Sequence, residues 1–148
     1  MTGAVSPPDL DRTEHDGACH CGAVRFHVRL SEGLRSASRC TCSYCRMRGT
    51  AAVTTRHGDL QILAGKDKLT LYRFNTMTAR HYFCSACGIT VYHQRRSNPE
   101  ELGVNAACLA GVSPFDFPAL PVTDGVRHPS DHPDAPEIVG TLRFDPVR

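Results

Sequence analysis

Across residues 23–30 apolar and polar side chains alternate (Ala-Val-Arg-Phe-His-Val-Arg-Leu), the period-two pattern of a strand with one buried face. Short β-rich runs follow over residues 51–55, 60–63 and 69–74. They are separated by His57-Gly58-Asp59 and Gly65-Lys66-Asp67, residue types that favour turns. Further strands are predicted over residues 78–83, 89–93, 102–106 and 138–144, and residues 43–46 read as a single helical turn. Helical periodicity is otherwise nearly absent. The predicted class is mainly β, with short helical turns.

Punctuation divides the chain into three parts. Residues 1–16, with Pro7, Pro8 and several charges, read as a flexible N-terminal arm. Residues 17–127 carry most of the strands and all eight cysteines, and residues 128–148 form a Pro/Asp-rich tail with room for one added strand. A length of 148 residues suits one ordinary core. The net charge of +2 is too small for an electrostatic nucleic-acid surface. No run approaches the roughly 18 apolar residues of a membrane span. The opening residues lack the basic start and apolar run of a signal peptide, so a cytoplasmic protein is expected.

The cysteines change the picture most. Seven of the eight fall into three groups: Cys19/Cys21, Cys40/Cys42/Cys45 and Cys84/Cys87. A disulfide framework would suit a secreted chain, whereas a reducing compartment favours metal binding by closely spaced thiolates. Two short pairs delivered by distant parts of a sheet are the usual construction of a closed Cys₄ zinc site, which assigns Cys19, Cys21, Cys84 and Cys87 to a structural ion. The Cys40/Cys42/Cys45 triplet is compact enough to hold a second ion with a vacant fourth position. Three thiolates dampen the Lewis acidity of such an ion toward water and favour a soft anionic ligand, so a thiol substrate is expected.

Residues 17–26 (Gly-Ala-Cys-His-Cys-Gly-Ala-Val-Arg-Phe) resemble the opening motif of the glutathione-dependent formaldehyde-activating enzyme family, whose domain centromere protein V also contains. Residues 40–46 resemble its second motif, residues 81–88 its third, and residues 103–109 the stretch that follows. The resemblance covers residues 17–127. It implies a β-tent fold, two antiparallel sheets meeting over a structural zinc at Cys19, Cys21, Cys84 and Cys87, with a catalytic zinc at Cys40, Cys42 and Cys45. It also implies a carbon–sulfur lyase that adds the thiol of glutathione reversibly to formaldehyde, giving S-hydroxymethylglutathione. The cofactor expected is two zinc ions per chain, and the partners are a small thiol and an aldehyde, with no nucleic acid and no membrane.

In that scheme Tyr44 or a water protonates the alkoxide, and Arg46 and Arg48, beside the triplet, hold glutathione carboxylates. Cys108 reads first as a small buried hydrophobe and second as a ligand completing the open site. His20 is expected to point away from the metal, His27 to be structural, and His81 and His93 to be half-exposed strand residues. The Arg95-Arg96 pair is expected in a solvated loop. Two alternatives stand beside the enzyme: a zinc-binding module that docks a protein, and an enzyme of this family acting on another thiol adduct.

Overall fold

The computed structural model describes residues 9–134 and 136–147. Its strands in chain order are β1 (Glu14–Ala18), β2 (Arg25–Arg29), β3 (Ser31–Leu34), β4 (Arg39–Cys40), β5 (Ala52–Arg56), β6 (Leu60–Ala64), β7 (Leu69–Tyr72), β8 (Arg80–Cys84), β9 (Thr90–Gln94), β10 (Glu101–Asn105), β11 (Ala119–Thr123) and β12 (Ile138–Arg143). One α-helix, α1 (Ser43–Arg48), interrupts them. The protein is therefore mainly β, as its alternation predicts. No helix among the described residues is long and apolar enough to cross a membrane.

Three sheets result, where the resemblance implies two antiparallel ones. β1, β2 and β6 form one in that order, and β5-β10-β9-β8-β7 form a five-stranded antiparallel sheet. The third, β12-β11-β4, contains a parallel pair that sets Val122 beside Arg39 and Thr123 beside Cys40. On β2 the alternation is realised directly: Phe26 and Val28 are buried while Arg25 and Arg29 are exposed. Those two join Val24, Leu30, Val53, Val91 and Val104 in one core cluster. Each such side chain contributes about 1.5–3 kcal/mol when fully buried, so aliphatic packing sets the frame on which the cysteines are hung.

Several elements differ from the sequence reading. Residues 1–8 of the expected arm lie outside the described residues. Within the rest of it, residues 14–16 belong to β1 and Leu10 packs against the core. Glu-His-Asp-Gly-Ala has no apolar alternation; it is held by its register with β2, from Glu14 opposite Arg29 to Ala18 opposite Arg25. β11, which contains Pro121, is not among the strands predicted from the sequence. The proline is tolerated because β4 flanks only Val122 and Thr123, leaving Pro121 paired on one side alone, to Thr141.

Candidate functional site

Two tight turns build the first cysteine group. After β1 the chain turns at Cys19-His20-Cys21-Gly22, with Gly22 N–H donating to the Cys19 carbonyl at 3.0 Å. After β8 it turns at Cys84-Ser85-Ala86-Cys87-Gly88, with Gly88 N–H donating to the Cys84 carbonyl at 2.7 Å. Both glycines have φ near +80°, at 78° and 80°, where a side chain would be strained. The turns bring Cys19, Cys21, Cys84 and Cys87 together, all Sγ atoms within 4.8 Å of one another. Cys19 Sγ lies 3.6 Å from Cys21 Sγ, which lies 3.8 Å from Cys84 Sγ. Four sulfurs about 2.3 Å from a tetrahedral zinc would stand about 3.8 Å apart, so the donor set fits that ion; a disulfide needs about 2.05 Å. The Val24 N–H donates to Cys19 Sγ at 3.3 Å. Backbone N–H groups of Ile89 and Cys21 bring the Cys87 thiol down to about 6.

The second group is built around α1. Cys42 is the N-cap, its Sγ accepting from Cys45 N–H at 3.2 Å, and Gly49 closes the six-residue helix in the left-handed region. Cys40 Sγ accepts from Cys42 N–H at 3.4 Å. The three sulfurs lie within 4.8 Å of one another, and no fourth Cys, His, Asp or Glu joins them among the described residues. Hydrogen bonds from the Cys40 and Cys45 thiols push Cys42 far below the ordinary thiol range, while hydrogen bonds with Cys40 and Cys42, then burial, push Cys45 up. Three thiols this close cannot all ionise without a cation, which is the electrostatic condition a divalent ion satisfies. Gly125, just after β11, closes over the group. A Cβ there would lie 2.5 Å from Cys40 Sγ and 2.5 Å from Cys42 Cβ, so only glycine fits.

The triplet opens into a cavity of about 600 Å³. One wall comes from the five-stranded sheet, where His93 on β9 and His81 on β8 stand opposite each other and line the cavity. Gly103 leaves the room that the His93 ring occupies. The His81 and His93 rings stack at 5.3 Å. Burial, then the nearby Arg48 charge, brings His81 down to about 4, and burial with Arg48 and Arg95 holds His93 well below its ordinary value. The opposite wall comes from β4, α1, and the Asp124-Gly125 turn, with His128, Pro129, Pro133 and Glu137. Four residues of the tail thus line the cavity.

The other candidates fall out as follows. Arg48 lines the cavity, donating to His81 Nδ1 at 3.0 Å and to Cys45 Sγ at 3.4 Å. Arg46, one helical residue removed from the buried Cys45, is exposed and outside the cavity lining. Tyr44 is also outside the lining; its ring packs on Tyr72, Phe74 and His81. Cys108 belongs to neither sulfur group: it is buried, its Sγ–H donates to the Thr90 carbonyl at 3.6 Å, and burial pushes its thiol up to about 12. His20 is exposed, and His27 bridges Asp16 and Glu14.

Three further residues stand differently from their sequence reading. His81 is 3% exposed rather than half-exposed, because α1 and its aromatic neighbours cover it. Arg95 and Arg96 line the cavity instead of a solvated loop. Arg95 continues the face that His93 presents and donates to Thr54 Oγ1 at 2.9 Å, and Arg96 pairs with Asp131 at 2.7 Å. The alternation of β9 was the signal that could have placed Arg95.

The family model described as glutathione-dependent formaldehyde-activating enzyme matches residues 14–118. A curated protein of Halomonas elongata, provisionally named a glutathione-dependent formaldehyde-activating enzyme, is 32% identical over 85 residues, which are 52% of this chain and 54% of that protein. The match thus spans about half the length of that relative. A crystal structure of a Rhodobacter sphaeroides protein is similar at 55% identity with a TM-score of 0.72, covering 73% of this chain and 99% of that one.

Proposed function

The chain belongs to the glutathione-dependent formaldehyde-activating enzyme family, and from that membership we propose that it adds a thiol, glutathione, reversibly to an aldehyde such as formaldehyde. The observation that carries this reading is the Cys40/Cys42/Cys45 group: three converged sulfurs at a cavity, with no fourth ligating side chain among the described residues. Cys19, Cys21, Cys84 and Cys87 would hold a structural zinc, and the triplet would hold a second. Cys40, Cys42 and Cys45 would hold that ion, which would supply Lewis acidity favouring the thiolate form of a thiol at neutral pH.

In the addition, the sulfur attacks the carbonyl carbon, an S–C bond forms, and the C=O π electrons move onto oxygen, which takes up the proton the thiol gave up. The chain's own part is to fix positions and deliver a hydrogen bond. Arginine only donates, so Arg48 Nη1–H on His81 Nδ1 makes that nitrogen an acceptor and leaves the proton on Nε2. His81 is then a neutral Nε2–H donor lining the cavity, suited to the oxygen on which charge develops. It replaces Tyr44 as the side-chain donor, since Tyr44 does not line the cavity. The reverse reaction runs through the same groups, with cleavage of the C–S bond.

Exchange between free formaldehyde and its glutathione adduct, followed by NMR, tests the reading. Cys42→Ser keeps an oxygen that can cap α1 but removes a sulfur donor. Acceleration over the spontaneous reaction is expected for the wild type and lost in Cys42→Ser; full turnover by that variant would overturn the assignment.

A further inference from the structure

We infer that Arg39 and Arg95 form a carboxylate subsite of the cavity, so that the thiol handled there is an anionic one. The inference rests on the reading of the triplet as a thiol site and adds what the rest of the substrate must carry. Four buried side-chain nitrogen or oxygen atoms lack a hydrogen-bond partner among the described residues. One is His15 Nδ1; the other three are the Nε atoms of Arg39, Arg48 and Arg95, and all three arginines line this cavity. A guanidinium withdrawn from water without an anion is costly, and proteins ordinarily answer it with a carboxylate.

The acidic side chains nearby do not supply that answer. Asp131 pairs with Arg96. Asp124 Oδ1 accepts from Val126 N–H at 3.0 Å, Arg127 N–H at 2.9 Å and Thr41 Oγ1–H at 3.4 Å, so it closes its own turn. Glu101 and Glu137, whose charges act on Arg95 from a distance, make no ion pair among the described residues. Nor do the cysteines absorb all of the charge. Three thiolates around a divalent ion carry a formal charge of one minus, and Arg48 already donates to Cys45 Sγ. Arg39 and Arg95 are left over.

Their donors are also the free ones. Arg48 has given Nη1 to His81 and Nη2 to Cys45. Arg95 has given only Nη2, to Thr54. The Arg39 guanidinium makes no ion pair and its Nε has no partner among the described residues. Both line the same cavity, Arg39 from β4 and Arg95 from just past the end of β9, where it donates to Thr54 Oγ1. Two guanidinium groups lining one cavity suit a carboxylate, which a guanidinium can hold bidentately. A neutral thiol would leave both unanswered.

Calorimetry on the zinc-loaded protein tests this, with glutathione, S-methylglutathione (both carboxylates, no thiol) and 2-mercaptoethanol (thiol, no carboxylate) as probes. Arg39→Gln and Arg95→Gln are each expected to weaken glutathione and S-methylglutathione by about tenfold or more while leaving 2-mercaptoethanol unchanged. Arg39→Lys should recover part of the loss, and Arg143→Gln, which removes a charge remote from the cavity, should change nothing. Unaltered glutathione affinity in both glutamine variants, or an equal loss for 2-mercaptoethanol, overturns the subsite. If 2-mercaptoethanol fails to bind the wild type while S-methylglutathione binds in an arginine-dependent way, the thiol site falls and the carboxylate subsite stands.

Discussion

Arg48 Nη1 lies 3.0 Å from His81 Nδ1 while its Nη2 lies 3.4 Å from Cys45 Sγ, so one guanidinium ties the sulfur triplet to an imidazole on the facing sheet. The first consequence is a tautomer. Ring nitrogen shifts should show His81 neutral, protonated on Nε2, with a pKa well under the ordinary 6.5, near about 4. Unfolded, the same histidine titrates near 6.5, so between there and about 4 the unfolded state binds more protons and stability falls as pH falls. Arg48→Gln should raise the His81 pKa, because the Arg48 charge is one of the two causes that lower it. A His81 that titrates at or above 6.5 in the native protein would contradict this.

Gly125 should behave as a residue of the triplet despite its distance in sequence. Gly125→Ala places a methyl against Cys40 Sγ and the Cys42 backbone, and overpacking of this kind costs about 1–3 kcal/mol. The expected result is a folded protein that keeps metal at Cys19, Cys21, Cys84 and Cys87 and loses it at the triplet, read by metal content. Unchanged content would show that the turn yields easily.

The two sulfur groups should differ in what their removal does to the fold. Cys19 and Cys84 are buried within the core cluster, and their turns join β1 and β2 to β8 and β9. Zinc sites of this kind contribute about 10–16 kcal/mol in small zinc domains. Cys84→Ser is therefore expected to lower the melting temperature far more than Cys42→Ser, or to abolish folding. Equal effects in thermal denaturation would remove the division between a closing site and an open one.

His27 offers a pH dependence of opposite sign. Hydrogen bonds to Asp16 and then Glu14 raise its pKa above 6.5. Its contribution should be fully present below about 6.5 and vanish as pH rises through the elevated native value. Asp16→Asn should lower the His27 pKa in an NMR titration; no change would mean the pairing is not maintained in solution.

What was legible in the sequence is what is local. Cysteines one to three positions apart announce themselves, and the alternation of β2 is visible because one face of the strand is buried. Residues that complete the cavity come from elsewhere and have no local signature. Gly125 reaches Cys40 through the parallel β4–β11 pairing, a contact between segments that share no pattern. Arg48 and Arg46 look alike beside the triplet, yet a short helix buries one against His81 and leaves the other in solvent. Arg39 reads only as the residue before Cys40, and its meaning appears only once the carboxylates around it are seen to be engaged elsewhere.

The most direct test of an open metal site is zinc content with X-ray absorption at the zinc edge, with and without glutathione. Two ions held by four and three cysteines give an average of 3.5 sulfurs per zinc, from seven sulfurs over two ions. The account predicts two zinc ions per chain and a rise to four sulfurs per zinc when glutathione is added. One zinc per chain, or a sulfur number that glutathione leaves unchanged, would contradict it.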